Sequence, residues 1–162
     1  MLSEDAGIDT IARFGNFDLF KSKFKQEEIN DIFHRDGGLL HCAVAGENFD
    51  IALFLIENGI DVNMIDADGN TALHYVCQYE TYSIEVAKEL LKRNIDGQIR
   101  DKWGNNAMWT AVMNCAWEHY EMVELLLEYG VDIHTKNKSG WSPLDAAKDL
   151  EDEKLIELLT KS

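Results

Sequence analysis

Histidine and cysteine stand close together twice in this chain, as His41-Cys42 and as His74 with Cys77 three residues on. Both residue types ligate zinc, so metal binding is the first chemistry to weigh. A structural zinc site needs about four converging ligands, typically in Cys-x-x-Cys or His-x-x-x-His pairs, and neither spacing occurs. The third cysteine, Cys115, lies beside a predicted loop with no motif that would make it a nucleophile. Three cysteines are an odd, sparse set and read as reduced thiols in a cytosolic protein, not as a disulfide framework. Acids are plentiful, but general acid–base work needs a buried, perturbed pair in a pocket, and Glu151-Asp152-Glu153 reads as the solvated side of a helix. Neither Gly-x-Ser-x-Gly, nor Gly-x-Gly-x-x-Gly, nor a P-loop is present. No catalytic, cofactor-binding or metal-ligating residue is assigned, and the chain is not expected to be an enzyme. A metal- or nucleotide-using activity hidden between structural units is the rival class.

The stronger signal is recurrence. Leu40-His41, Leu73-His74, Met108-Trp109 and Leu144-Asp145 open apolar segments at steps of 33, 35 and 36 residues. A period near 33 means one small unit stacked on itself. The clearest unit begins with a turn, Asp66-Ala67-Asp68-Gly69-Asn70, where Asp supplies capping and Gly a positive φ. Thr71 then caps a helix whose inner face is Ala72, Leu73, Val76 and Cys77. After a polar break, Ile84, Val86, Ala87, Leu90 and Leu91 mark a second helix, which Asn94 ends by tolerating a left-handed conformation. Similar wording recurs at Asp101–Met108 with Leu125–Leu127 and Gly130, and at Asn137–Leu144 with Leu158-Leu159. Ile8, Ile11, Ala12, Phe17, Leu19 and Phe20 predict a degenerate helix pair that covers one end, as stacked repeats require. The expectation is one all-α domain over residues 1–162: an end cap over 1–33, then repeats over 34–65, 66–100, 101–136 and 137–162, the last a second cap.

The bulk numbers narrow the partner. With 46% apolar residues in 162, the chain can bury a substantial core. Thirty acids against fifteen bases leave a formal charge of −15, which argues against nucleic acid, where Lys and Arg must displace counterions, and against an anionic membrane. A field of that sign attracts a basic partner. Met1-Leu2-Ser3-Glu4-Asp5 carries acid where a secretion signal carries base, and no run approaches about 20 apolar residues, so the cytoplasm is the expected compartment.

Gly69-Asn70-Thr71-Ala72-Leu73-His74 and Gly140-Trp141-Ser142-Pro143-Leu144 resemble the Gly-x-Thr-Pro-Leu-His core of the ankyrin repeat. Gly59-Ile60-Asp61-Val62-Asn63 and Gly130-Val131-Asp132-Ile133-His134 resemble that family's Gly-Ala-Asp-Val-Asn exit. The resemblance covers about residues 34–160 and implies an ankyrin-repeat solenoid of about four recognisable repeats that binds another protein. It also implies that the motif histidine ties neighbouring turns and that the Thr or Ser hydroxyl caps the first helix. Proline stands at the motif position once, at Pro143, where a first-turn residue needs no N–H. Asp36 replaces a turn glycine, and Trp109 and Asp145 replace the histidine. The segments around Gly104–Val112 and Gly140–Ala147 are also similar to bacterial ankyrin proteins associated with secreted polymorphic toxins, which implies an immunity protein occluding a basic toxin domain. A generic regulatory or host-directed ankyrin adaptor is the alternative.

In either case the expected grip is through turn tips and first-helix faces. The candidate partner-binding residues are Asp68, Asn70, Gln78, Tyr79, Lys102, Trp103, Asn105, Met113, Asn114, Lys138 and Trp141. Trp103 and Trp141 are the expected anchors, because Trp buries a large area at small entropic cost. Trp117 is expected to cover the far edge of the core. The free chain is expected to be a monomer without a cofactor.

Overall fold

The computed structural model describes residues 6–33, 35, 37–78, 84–115 and 120–161. Its helices come in pairs: α1 (Ile8–Phe14) with α2 (Phe17–Lys23), α3 (Leu39–Ala45) with α4 (Phe49–Glu57), α5 (Ala72–Val76) with α6 (Ile84–Lys92), α7 (Ala107–Asn114) with α8 (Glu121–Glu128), and α9 (Pro143–Asp149) with α10 (Glu153–Thr160). First helices pack in the order α1–α3–α5–α7–α9 and second helices in the order α2–α4–α6–α8, giving two helical layers. Among the described residues the β-contacts are limited to one isolated bridge, Ile32 with Gly38. The fold is an all-α ankyrin-type solenoid.

The layers follow from where the apolar residues fall. Leu40, Leu73 and Met108, one per first helix, are buried, and so are Leu55, Leu90 and Leu126 on the second helices. Each helix contributes only a stripe and cannot bury it alone, so stability comes from contact with the neighbouring unit. Second helices stop in the same way. The N–H of Ile60, Ile95 and Val131 donates back to the carbonyl of Leu55, Leu90 and Leu126 at 3.1, 3.2 and 3.0 Å. The residue before each stands at positive φ: Gly59 at 82°, Asn94 at 59° and Gly130 at 69°.

The amino-terminal pair closes one end with aromatic packing. Phe17, Phe20 and Phe24 surround Phe54 with ring centroids 5.6, 6.2 and 5.2 Å away. The Asn48 amide donates to the carbonyls of Ala12 and Arg13 at 3.0 and 2.8 Å, satisfying the end of α1. Gly46 is needed at this contact, since a Cβ there would lie 1.8 Å from the Arg13 carbonyl oxygen. At the other end α10 packs on α9, and Tyr120 reaches across to donate to Asp152 at 2.7 Å.

Candidate functional site

The turns between units are built on a carboxylate or amide at a fixed place. Asp66 Oδ1 accepts from the N–H groups of Asp68 and Asn70, both at 2.8 Å. Asp101 Oδ1 does the same for Trp103 and Asn105 at 2.9 and 2.8 Å, and Asn137 Oδ1 for Ser139 and Trp141 at 3.0 and 3.1 Å. Short Asx side chains form such local turns readily. Gly69, Gly104 and Gly140 supply the positive φ at 82°, 87° and 82°. Burial alone would raise the Asp66 carboxyl, but donors from Asn70, Tyr75 and Asp68 outweigh it and hold its pKa below the ordinary value.

Successive turns are joined through the backbone. Ala67 N–H donates to Arg35 O at 3.3 Å, Lys102 N–H to Asp68 O at 2.7 Å, and Lys138 N–H to Trp103 O at 2.8 Å. The first turn keeps this register although Asp36, itself outside the described residues, stands where the other turns have glycine. Phe33 N–H still donates to Gly37 O at 2.7 Å, as Asp66 N–H does to Asn70 O at 3.0 Å.

The two motif histidines are occupied by this scaffold. His74 Nδ1 accepts from Thr71 N–H at 3.1 Å and its Nε2 lies 3.2 Å from Asn105 O, across the next turn. His41 repeats the arrangement with Gly38 N–H at 3.2 Å and Asn70 O at 3.0 Å. An accepting Nδ1 fixes the neutral tautomer that donates from Nε2. Burial accordingly lowers both pKa values. Thr71 is the N-cap of α5 and forms a capping box with His74, its hydroxyl also lying 3.0 Å from His74 Nδ1. In the last unit the expected cap forms, with Asp145 N–H donating to Ser142 Oγ at 3.1 Å. Asp145 returns the favour by accepting from Ser142 N–H and Oγ–H at 3.0 and 2.8 Å, which holds its carboxyl below the ordinary range.

Both ring nitrogens of His41 and His74 are therefore engaged, and among the described residues no three His, Cys, Asp or Glu side chains gather as a metal site. Burial raises the Cys77 thiol far above its ordinary value and pushes Cys115 up to about 11, so neither is an activated thiolate.

Several of the expected contact residues work inside the scaffold. Asn70 donates its amide to Asp66, and Asn105 to Asp101 at 3.1 Å while accepting from Asn137 at 2.9 Å. Asp68 pairs with Lys102 at 2.8 Å, and the same ammonium sits 4.2 Å over the Trp103 ring. Gln78, Asn114 and Lys138 are exposed, Asn114 with its amide on Thr110 O at 2.8 Å. Tyr79 and Trp117 lie outside the described residues. Trp103 and Trp141, on consecutive turn tips, are 53% and 41% exposed.

The structure brings Met113 and Trp141 together with residues that sequence reasoning did not assign to a site. A groove of about 290 Å³ runs between α7, the last turn and α9, lined by Trp109, Met113, Asn137, Ser139, Trp141, Ala146, Asp149 and Leu150. Its one legible signal was Trp109 in a histidine position; Leu150 joins only through packing of α9 on α7. Trp103 lies outside this groove.

A family model described as "Ankyrin repeats (3 copies)" matches residues 10–101, 39–137 and 82–162. The chain belongs to the ankyrin repeat family. Among its relatives, the Fowlpox virus (strain NVSL) ankyrin repeat protein FPV024 is 27% identical over 124 residues, covering 76% of this chain and 20% of that protein. FPV115 of the same virus is 36% identical over 92 residues, covering 57% of this chain and 16% of that protein. The Danio rerio palmitoyltransferase ZDHHC13 is 29% identical over 123 residues, covering 75% of this chain and 18% of that protein. The chain thus spans a fifth or less of the length of these relatives. Ankyrin repeats generally mediate contacts between proteins. No helix among the described residues is long and apolar enough to cross a membrane.

Proposed function

We propose that this ankyrin stack is a non-catalytic, cytoplasmic protein-binding module, a single domain over residues 1–162 and a monomer when free. It grips a partner that is basic overall through its turn tips and first-helix faces. The observation that carries this reading is the pair Trp103 and Trp141, exposed on neighbouring tips whose backbones are locked by the Trp103–Lys138 hydrogen bond. Large amphipathic rings on a rigid frame are the commonest interface anchors. The formal charge of −15 supports the basic partner by steering encounter over long range.

The narrower form of the proposal is an immunity protein that occludes a basic toxin domain. Co-expression with the protein encoded beside this gene tests it. Survival of cells otherwise killed by that protein, and a complex on size exclusion that Trp103→Ala and Trp141→Ala weaken, are the expected results. No rescue and no complex would remove the immunity role. A complex without toxicity would leave a regulatory adaptor.

A further inference from the structure

The two exposed tryptophans have different surroundings. Trp141 lines a groove together with the apolar side chains of Trp109, Met113 and Leu150. Trp103 lies outside that groove, and what meets its ring is a charge. The Lys102 ammonium sits 4.2 Å from the ring centroid, where a cation is drawn to the negative face of an indole. The same ammonium lies 2.8 Å from Asp68 Oδ1 on the preceding turn.

The register of the turns produces this bridge. Lys102 N–H donates to Asp68 O at 2.7 Å, so Lys102 is tied to Asp68 by its backbone and by its side chain. The equivalent backbone bonds, Ala67 to Arg35 and Lys138 to Trp103, join residues that cannot form an ion pair, because Ala67 and Trp103 carry no charge. The Trp103 backbone is fixed separately: its N–H donates to Asp101 Oδ1 at 2.9 Å and its carbonyl accepts from Lys138 N–H at 2.8 Å. Its remaining freedom is in the side-chain torsions, and at 53% exposure packing alone does not settle them.

We propose that Lys102 is a positioning residue for the Trp103 anchor: bridged to Asp68, its ammonium fixes the indole in one orientation before a partner arrives and leaves the uncovered surface of the ring for that partner. The proposal rests on the protein-binding reading above. It assigns Lys102 and Asp68, two of the expected contact residues, to holding the anchor instead of touching the partner. A ring fixed in advance loses less rotamer freedom on binding, and the gain appears mainly as slower dissociation.

The chain labelled with fluorotryptophan gives one fluorine resonance per tryptophan, and Trp103→Phe and Trp141→Phe identify two of them. Lys102→Met removes the charge and keeps most of the stem, and Asp68→Asn removes the other end of the bridge. Neither touches the backbone bond between the turns, and thermal unfolding shows that both variants stay folded. Each should move the Trp103 resonance toward that of free fluorotryptophan in water and leave the Trp141 resonance in place. Lys102→Arg, whose guanidinium also pairs and stacks, should restore the parent position. Raising salt to about 1 M, where the screening length falls to about 3 Å, should move the Trp103 resonance and not that of Trp141. The binding readout uses a peptide selected on the intact chain from a displayed random library and lost with Trp103→Ala. Lys102→Met and Asp68→Asn should both speed its dissociation, by about threefold to tenfold, although one makes the chain more negative and the other less. Lys102→Arg should return the parent rate. A Trp103 resonance unmoved in either variant, dissociation rates that shift in opposite directions as net charge alone requires, or the absence of any peptide that depends on Trp103 overturns the proposal. The co-expression test decides the protein-binding reading separately.

Discussion

Replacing His74 by alanine should destabilise the stack by about 3 kcal/mol, and the sum can be built from its contacts. The imidazole accepts Thr71 N–H and reaches Asn105 O on the next turn. Thr71 is 1% exposed, so water cannot replace the lost acceptor, and an orphaned buried N–H costs about 1–3 kcal/mol. Asn105 is only half-buried, so its carbonyl can be rehydrated, and losing that bond costs about 1 kcal/mol. His74→Asn separates the two terms: its amide oxygen can stand near the place of Nδ1 and keep Thr71 satisfied, so about 1 kcal/mol should be lost. Urea unfolding followed by circular dichroism at pH 7.5 measures both. The same geometry fixes a pH dependence. Burial lowers the folded pKa of His74 and His41 from the ordinary 6.5, so the unfolded chain binds more protons below that value. Their stabilisation is complete above pH 6.5 and is lost as pH falls from there through the folded pKa values. The slope between pH 6.5 and 5 should therefore be shallower in His74→Ala than in the parent. A loss under about 0.5 kcal/mol in His74→Ala, equal losses in both variants, or an unchanged slope would refute the claim that this ring bridges the turns as a neutral donor and acceptor.

The same packing fixes other outcomes. Trp103→Ala and Trp141→Ala should weaken partner binding by about 2 kcal/mol each, with helix content by circular dichroism unchanged; unfolding of both would place these rings in the core. Gly104→Ala should cost more in thermal unfolding than Gly140→Ala. Both sit at positive φ, worth about 1 kcal/mol, but a Cβ at residue 104 would meet Arg100 Nη2 at 2.9 Å and Lys138 N at 3.1 Å, whereas residue 140 has open space. Thiol labelling at pH 7.5, read by mass spectrometry, should modify half-buried Cys115 before buried Cys77, and both slowly, because burial raises each thiol pKa; fast labelling of Cys77 in the native chain would contradict the packing of α5.

The fold was legible because its grammar is local. Gly69, Thr71, Leu73 and His74 lie within six consecutive residues, and each has a conformational or packing role readable from its type. Asn94 shows the same, since its left-handed conformation follows from what asparagine tolerates. The first turn was harder to read. Asp36 removes the expected glycine, yet the hairpin is held by Phe33 N–H on Gly37 O, a backbone bond that side-chain types do not reveal. The candidate site was legible only in part, for a related reason. Trp103 and Trp141 could be placed at tips by register alone. Asn70 and Asn105 look like exposed recognition residues in a linear reading, but their amides face Asp66 and Asp101 inside the turns. Leu150 and Trp109 are 41 residues apart and meet only because α9 packs on α7. No pattern within one repeat announces a groove made between two.

Hydrogen exchange by mass spectrometry, on the chain alone and in the complex obtained by co-expression, tests the central claim most directly. Slowed exchange confined to the turn tips and first helices, strongest around residues 101–114 and 137–150, with α6 and α8 unchanged, is the expected result. Protection centred on α6 and α8, with those turns exchanging as in the free chain, would contradict it.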